Sequence, residues 1–115
     1  MPRPLLAALL TLSLAGSALA HHGWSEYDAG REMTLSGTIV ESGYDNPHGF
    51  VQLRAGDRLW RVILAPPMRM ESRGLPRAGL RPGTVVTVVG YPHRREASEL
   101  RAERITIDGR ITELR

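Results

Sequence analysis

The sequence predicts a single small all-β domain, and three observations support this class. Short segments of alternating apolar and polar residues recur along the chain, each about the length of a β-strand. Turn-forming Pro, Gly and Asn residues separate these segments. Between residues 65 and 83 there are four Pro and three Gly residues, which exclude a long helix there. A chain of 115 residues is also too short for more than one ordinary domain.

Six strands and one short helix are predicted in chain order. The helix has Pro67 in its first turn and Gly74 after its end. The fourth strand is apolar on both faces and is therefore expected to be central. The fifth strand changes phase, which predicts a bulge near Glu103. The predicted strands cover residues 33–42, 50–54, 59–64, 84–91, 100–107 and 111–114.

Three strands, a short helical connection and two or three further strands form the element order of a small Greek-key barrel of the OB type. We expect five or six antiparallel strands, closed or nearly closed. An SH3-like barrel or an open meander fits almost as well. The expected core residues are Leu35, Ile39, Val51, Leu53, Trp60, Val62, Leu64, Val86, Val88 and Ile105.

The first twenty residues have the pattern of a secretory signal peptide. Arg3 precedes an apolar run over residues 5–15, which is too short to span a bilayer comfortably, and the segment ends Ala18-Leu19-Ala20. Cleavage after Ala20 would leave His21 as the first residue of a periplasmic or secreted protein. The predicted divisions are therefore a signal peptide (1–20), an N-terminal arm (21–32) and a barrel domain (33–115).

Composition excludes several kinds of chemistry. The absence of Cys excludes disulfides, Cys-based zinc sites, iron–sulfur clusters and thiol catalysis, and the absence of Lys excludes a Schiff-base lysine and a P-loop. The formal net charge is +3, but positive and negative residues alternate. We therefore expect no nucleic-acid partner, and no membrane association after signal cleavage. The arginines at 94, 95, 101 and 104 are interleaved with acidic residues, which predicts a locally neutral surface.

The best candidates for chemistry are four histidines. His21 and His22 stand at the predicted mature N-terminus, whereas His48 and His93 fall in predicted loops. An N-terminal histidine offers two nitrogens, its free α-amine and ring Nδ1, which can chelate one metal ion. One further imidazole gives a three-nitrogen set, the histidine brace, which suits Cu(II). Copper is therefore the expected metal, with zinc as the alternative.

His48 is the expected partner of His21. It follows Asn46-Pro47, a turn-forming pair that holds the imidazole in a fixed direction. The arm is long enough to reach the loop of His48, and the loop of His93 lies at a shorter reach. We expect His22 or His93 to contribute weakly or from an outer position. The competing interpretation is a frayed terminal pair with no function and solvent-exposed loop histidines.

Several longer motifs occur along the mature chain. They are HHGWSEYD at 21–28, LSGTIV at 35–40, NPHGFVQL at 46–53, LRPGTVVTVVGYP at 80–92 and the closing RAERITIDGRITELR. With these motifs the chain resembles a family of small secreted proteobacterial proteins that carry a domain of unknown function, and the resemblance covers essentially the whole mature chain. It implies an OB-like barrel with the double histidine and the Asn-Pro-His turn as family features, and it implies no activity.

Three functions are compatible with these features. The first is a periplasmic metal-binding protein for copper binding or trafficking, whose partners are the metal ion and another periplasmic protein. The second is a non-metal OB-type module that binds a peptide, an oligosaccharide or a partner protein. The third is a copper redox enzyme, which ranks last because a small barrel offers no obvious deep substrate cleft. No catalytic motif such as G-x-S-x-G or H-E-x-x-H is present.

Overall fold

A computed structural model describes residues 23–115 of the protein. The predicted signal peptide, His21 and His22 lie outside the described residues. In the part that is described, no helix is long and apolar enough to cross a membrane. Short 3-10 helices occupy Trp24–Glu26 and Arg77–Leu80. The other elements are β1 (Met33–Gly43), β2 (Phe50–Ala55), β3 (Arg58–Ile63), α1 (Pro67–Ser72), β4 (Val85–Pro92), β5 (Glu99–Ile107) and β6 (Arg110–Glu113).

The strands form a closed five-stranded barrel with one additional strand. Their order is β3-β2-β1-β4-β5-β6, and a further pairing between β3 and β5 closes the barrel. The predicted OB-like all-β fold is thus confirmed. One expectation was wrong, because β3 and β5 pair in parallel. An odd number of strands cannot close into a ring in which every neighbour is antiparallel.

The barrel interior contains the predicted core. Nine of the ten expected residues are buried, and Leu35 is partly buried against them. β4 lies between β1 and β5 and is central as predicted. Its second face is not buried, however, since Val85 is 68% exposed whereas Val88 is fully buried. A barrel has a single interior, so even a central strand buries only the face that points into it.

Two bulges bend the strands around the barrel. On β5, Arg104 pairs with Val89 and Ala102 pairs with Gly90, so Glu103 is the extra residue and the predicted bulge is confirmed. On β1, the register shifts between Ile39 and Glu41, which leaves Val40 as the extra residue. A bulge increases local twist and bends its strand. Both therefore help the sheet to close.

The turns follow their sequence patterns. Asp108 and Gly109 have φ angles of 50° and 76°, the conformation that a two-residue hairpin of Asp-Gly adopts. α1 begins at Pro67, and Gly74, with φ of 85°, follows its end. Its buried residue is Met70, which packs into the core. The short helix therefore covers part of the core between β3 and β4.

We expect Val88→Asp to unfold the domain and Val85→Asp, on the same strand, to leave it folded. Val88 is fully buried, so an aspartate there would bury an unpaired charge and cost more than about 4 kcal/mol of unfolding free energy. Val85 points to solvent, and its replacement should cost less than about 1 kcal/mol. Circular dichroism and urea denaturation measure both effects. Equal losses in the two variants would contradict the assignment of the interior.

Candidate functional site

A cleft of about 570 Å³ opens at one end of the barrel. It lies between the β1–β2 loop (residues 44–49), the β4–β5 loop (residues 93–98) and the N-terminal arm. OB folds commonly bind their ligands on the loops that connect these strands. The lining residues are His48 and His93, the acidic Glu26, Glu96 and Glu99, the basic Arg61 and Arg101, and Tyr27, Pro47, Phe50 and Ile63.

The loop that carries His48 is held at both ends. At its start, the buried Tyr44 donates a hydrogen bond from its hydroxyl to the Leu75 carbonyl at 2.6 Å. At its end, the Gly49 N–H donates to Ala65 at 2.9 Å, and the Leu64 N–H donates to Gly49 at 2.8 Å. A Cβ on Gly49 would require the terminal methyl group of Met70 to move. The position of the His48 backbone is therefore set by the end of β3.

The N-terminal arm is docked on the end of β4 and the loop that follows it. Tyr27 and His93 form an isolated antiparallel bridge. Beside this bridge, the Asp28 N–H donates to the Pro92 carbonyl at 2.8 Å, and the Arg94 N–H donates to the Glu26 carbonyl at 2.9 Å. Tyr27 is 6% exposed. The arm thus contributes Glu26 and Tyr27 to the cleft wall.

Arg101 connects the arm to the loop of His48. Its guanidinium carbon lies 4.6 Å from the centroid of the Trp24 ring, and its Nη2 lies 3.3 Å from His48 Nε2. Arg115 contacts the same Trp24 ring, also at 4.6 Å. Arg101 is only 5% exposed. Burial lowers the pKa of Arg101; Tyr27 opposes this effect, and the charges of Arg69 and Arg115 add to it.

His93 is fixed by its own loop. Its Nδ1 accepts hydrogen bonds from the N–H groups of Arg95 and Glu96, at 3.0 and 2.9 Å. Because Nδ1 accepts, the ring proton is assigned to Nε2. Nε2 faces two carboxylates, with Glu26 Oε2 at 3.6 Å and Glu99 Oε2 at 3.9 Å. His93 therefore presents an N–H group, not a lone pair, to the acidic side of the cleft.

His48 has the opposite arrangement. A guanidinium can only donate hydrogen bonds, so His48 Nε2 accepts from Arg101 and carries a lone pair on the side that faces it. A metal ligand needs such a lone pair, and its other ring nitrogen normally carries the proton. The lone pair of His48 is directed at Arg101, whereas the lone pair of His93 is directed at its own loop and its N–H group at the carboxylates. Among residues 23–115, no three His, Asp or Glu side chains are arranged to hold a metal ion.

The structure brings the two loop histidines of the sequence prediction to one cleft, while His21 and His22 lie outside the described residues. The sequence did not single out Arg101, and the expectation of a solvated arginine there was wrong. Arg101 is covered by Trp24 and contacts His48, and both neighbours are distant in sequence. A local charge pattern contains no information about such contacts.

The fold and this cleft define a small OB-like barrel with a ligand-sized opening between its loops. The chain belongs to a family of unknown function, DUF6152, whose model matches residues 8–101. No curated protein is significantly similar to the sequence.

Solved structures show a similar fold at low sequence identity. A chain of the S. pombe Stn1–Ten1 complex is 19% identical with a TM-score of 0.55, and the match covers 67% of this chain and 57% of that one. A chain of the TiaS complex with tRNA and ATP is 24% identical with a TM-score of 0.53, and the match covers 77% and 20%. The protein thus spans little more than half of the first relative and a fifth of the second. These likenesses concern the fold.

We expect the hydroxyl of Tyr27 to make stability fall in alkali. Burial raises the pKa of Tyr27, and its 2.8 Å hydrogen bond to Glu99 raises it further. The folded protein therefore keeps a proton that the unfolded chain loses near pH 10. This contribution is complete below pH 10 and is lost as the pH rises above it.

Urea denaturation of wild type and Tyr27→Phe between pH 8 and pH 11 tests this expectation. The variant should lose about 1 kcal/mol at pH 8, because the hydrogen bond to Glu99 is gone. It should then show a shallower decline above pH 10. Parallel curves for the two proteins would contradict it.

Proposed function

We propose that the protein is an exported metal-binding protein that binds or carries copper through the α-amine and ring of His21 together with His48. The contact of Trp24 with Arg101, which itself contacts His48 Nε2, carries this proposal. Through these two contacts, Trp24, near the start of the described residues, lies close to the loop of His48. His21 stands two positions before Gly23 in the sequence, and the proposal has this short segment reach the loop of His48.

The donor set suits Cu(II). Two nitrogens of His21 and Nε2 of His48 make three nitrogen ligands, for which divalent affinity peaks at copper, with zinc as the alternative cargo. The cleft also suits a cation in its formal charge. Its lining has three carboxylates against two guanidinium groups, a net charge of −1 with neutral histidines. The α-amine is available near neutral pH because its ordinary pKa is about 7.7–8.0.

The other two histidines have supporting roles in this proposal. His93 holds the β4–β5 loop through its Nδ1 and directs its N–H towards Glu26 and Glu99. It therefore acts from outside the metal's ligand set. His22, next to His21 in the sequence, is proposed as a weaker or outer contributor.

The proposal requires export and cleavage after Ala20. The expected result is a mature protein that begins at His21 with a free α-amine, as measured by intact mass and N-terminal sequencing of the exported protein. Ala20→Phe should block or move the cleavage, since the site needs a small residue. A mature chain that begins at Leu19, or an uncleaved chain, would remove the N-terminal chelate from the proposal.

We expect a titration with Cu(II) to show one saturable site in the protein that begins at His21. An added alanine before His21 converts its amine to an amide and should weaken binding more than about 100-fold, beyond the loss typical of outer-shell changes. His48→Gln should have a similar effect, although its amide can still accept a hydrogen bond from Arg101. Affinity should fall below about pH 6, where protons compete for the imidazole and the amine.

His93→Asn is the matched control for His48→Gln. The Asn oxygen can accept the loop N–H groups as His93 Nδ1 does, so the loop stays formed while the second ring nitrogen is lost. Copper affinity should change much less than in His48→Gln. An equal loss in the two variants would contradict the choice of His48, and absence of a saturable site would contradict metal binding.

A second candidate function is a non-metal binding module, favoured by the size and position of the cleft. Its volume of about 570 Å³ and its place between the β1–β2 and β4–β5 loops suit a small segment of a peptide or oligosaccharide. Phe50 and Ile63 supply apolar surface and Arg61 supplies a charge. NMR titrations with peptide and oligosaccharide probes test this function. It is favoured if the Cu(II) titration shows no saturable site and the chemical-shift changes caused by a probe concentrate at these three residues.

A further inference from the structure

Arg101 lies at the atom that the proposed metal would use. Its Nη2 is 3.3 Å from His48 Nε2, and its guanidinium is stacked on Trp24. A hydrogen bond and a metal–nitrogen bond both need the lone pair of Nε2. The two contacts therefore exclude each other at this nitrogen.

Arg101 also opposes a metal ion by its charge. The guanidinium is a fixed cation, and a divalent ion on the same imidazole would lie a few ångströms from it. Arg101 is 5% exposed, so water screens this repulsion only weakly.

We propose that Arg101 is an internal competitor for the copper site, which holds His48 Nε2 in the metal-free protein and returns to it when the metal leaves. This inference rests on the proposed function and deepens it. Because Arg101 belongs to the same chain, its competition for His48 Nε2 weakens metal binding by a fixed factor. The same competition makes it easier for the protein to release the metal to an acceptor molecule. A carrier needs such release, whereas a storage site does not.

The chain offers a matched control for Arg101. Arg115 stacks on the same Trp24 ring at the same distance of 4.6 Å, and it forms an ion pair with Glu103 at 3.6 Å. Arg115→Met therefore removes an equal charge from the same ring. In Arg101→Met, the unbranched thioether can keep the packing on Trp24 while the hydrogen bond to His48 is lost.

The test is a Cu(II) titration of correctly processed wild type, Arg101→Met and Arg115→Met, with the rate of copper transfer to a chelator as a second measurement. Arg101→Met should bind copper about tenfold more tightly or better, and release it correspondingly more slowly. Arg115→Met should change the affinity less than about threefold. Circular dichroism and thermal unfolding confirm that each variant is folded.

The possible results separate this inference from the proposed function. No saturable site in wild type or Arg101→Met overturns both. A wild-type site whose affinity Arg101→Met leaves unchanged or weakens overturns the inference alone, and so does an equal gain in Arg115→Met.

A measurement on metal-free wild type is independent of how the variants fold. The nitrogen chemical shifts of the His48 ring should show the proton on Nδ1 and an accepting Nε2. A proton on Nε2 would overturn the inference.

Discussion

The candidate site depends on the pairing that closes the barrel, the parallel contact between β3 and β5. Its register sets Arg61 opposite Glu99 and Ile63 opposite Arg101. One residue after β3, the Leu64 N–H donates to the Gly49 carbonyl. Closure therefore brings the start of β5 to the loop of His48. Without this pairing, β5, which carries Arg101, would not contact the end of β3 that holds the loop of His48, and the cleft would have no second wall.

The local parts of this fold could be predicted from the sequence, and the closing contact could not. Alternation and turn residues depend on near neighbours, so the strands, the hairpin at Asp108 and the bulge at Glu103 are visible in the pattern. The bulge at Val40 is not visible, because an apolar residue after Ile39 is compatible with several registers. Parallel closure depends on two segments about 38 residues apart, and nothing local encodes it.

The candidate site follows the same division. His48 and His93 could be placed in loops from turn chemistry alone, and the structure puts both in one cleft. The role of Arg101 could not be predicted, because its burial comes from Trp24 on the arm and its polar contact comes from the β1–β2 loop. Charge alternation along β5 suggests a solvated arginine. The tertiary contacts, not the local pattern, turn it into a buried cation.

The two histidines of the cleft differ in chemistry because their neighbours differ. The N–H groups of Arg95 and Glu96 occupy the acceptor of His93, which leaves its N–H for the carboxylates of Glu26 and Glu99. The guanidinium of Arg101 occupies the acceptor of His48. Each imidazole thus meets a group of complementary character. Two identical side chains in one cleft therefore present different atoms to their neighbours, an N–H group at His93 and an accepting nitrogen at His48.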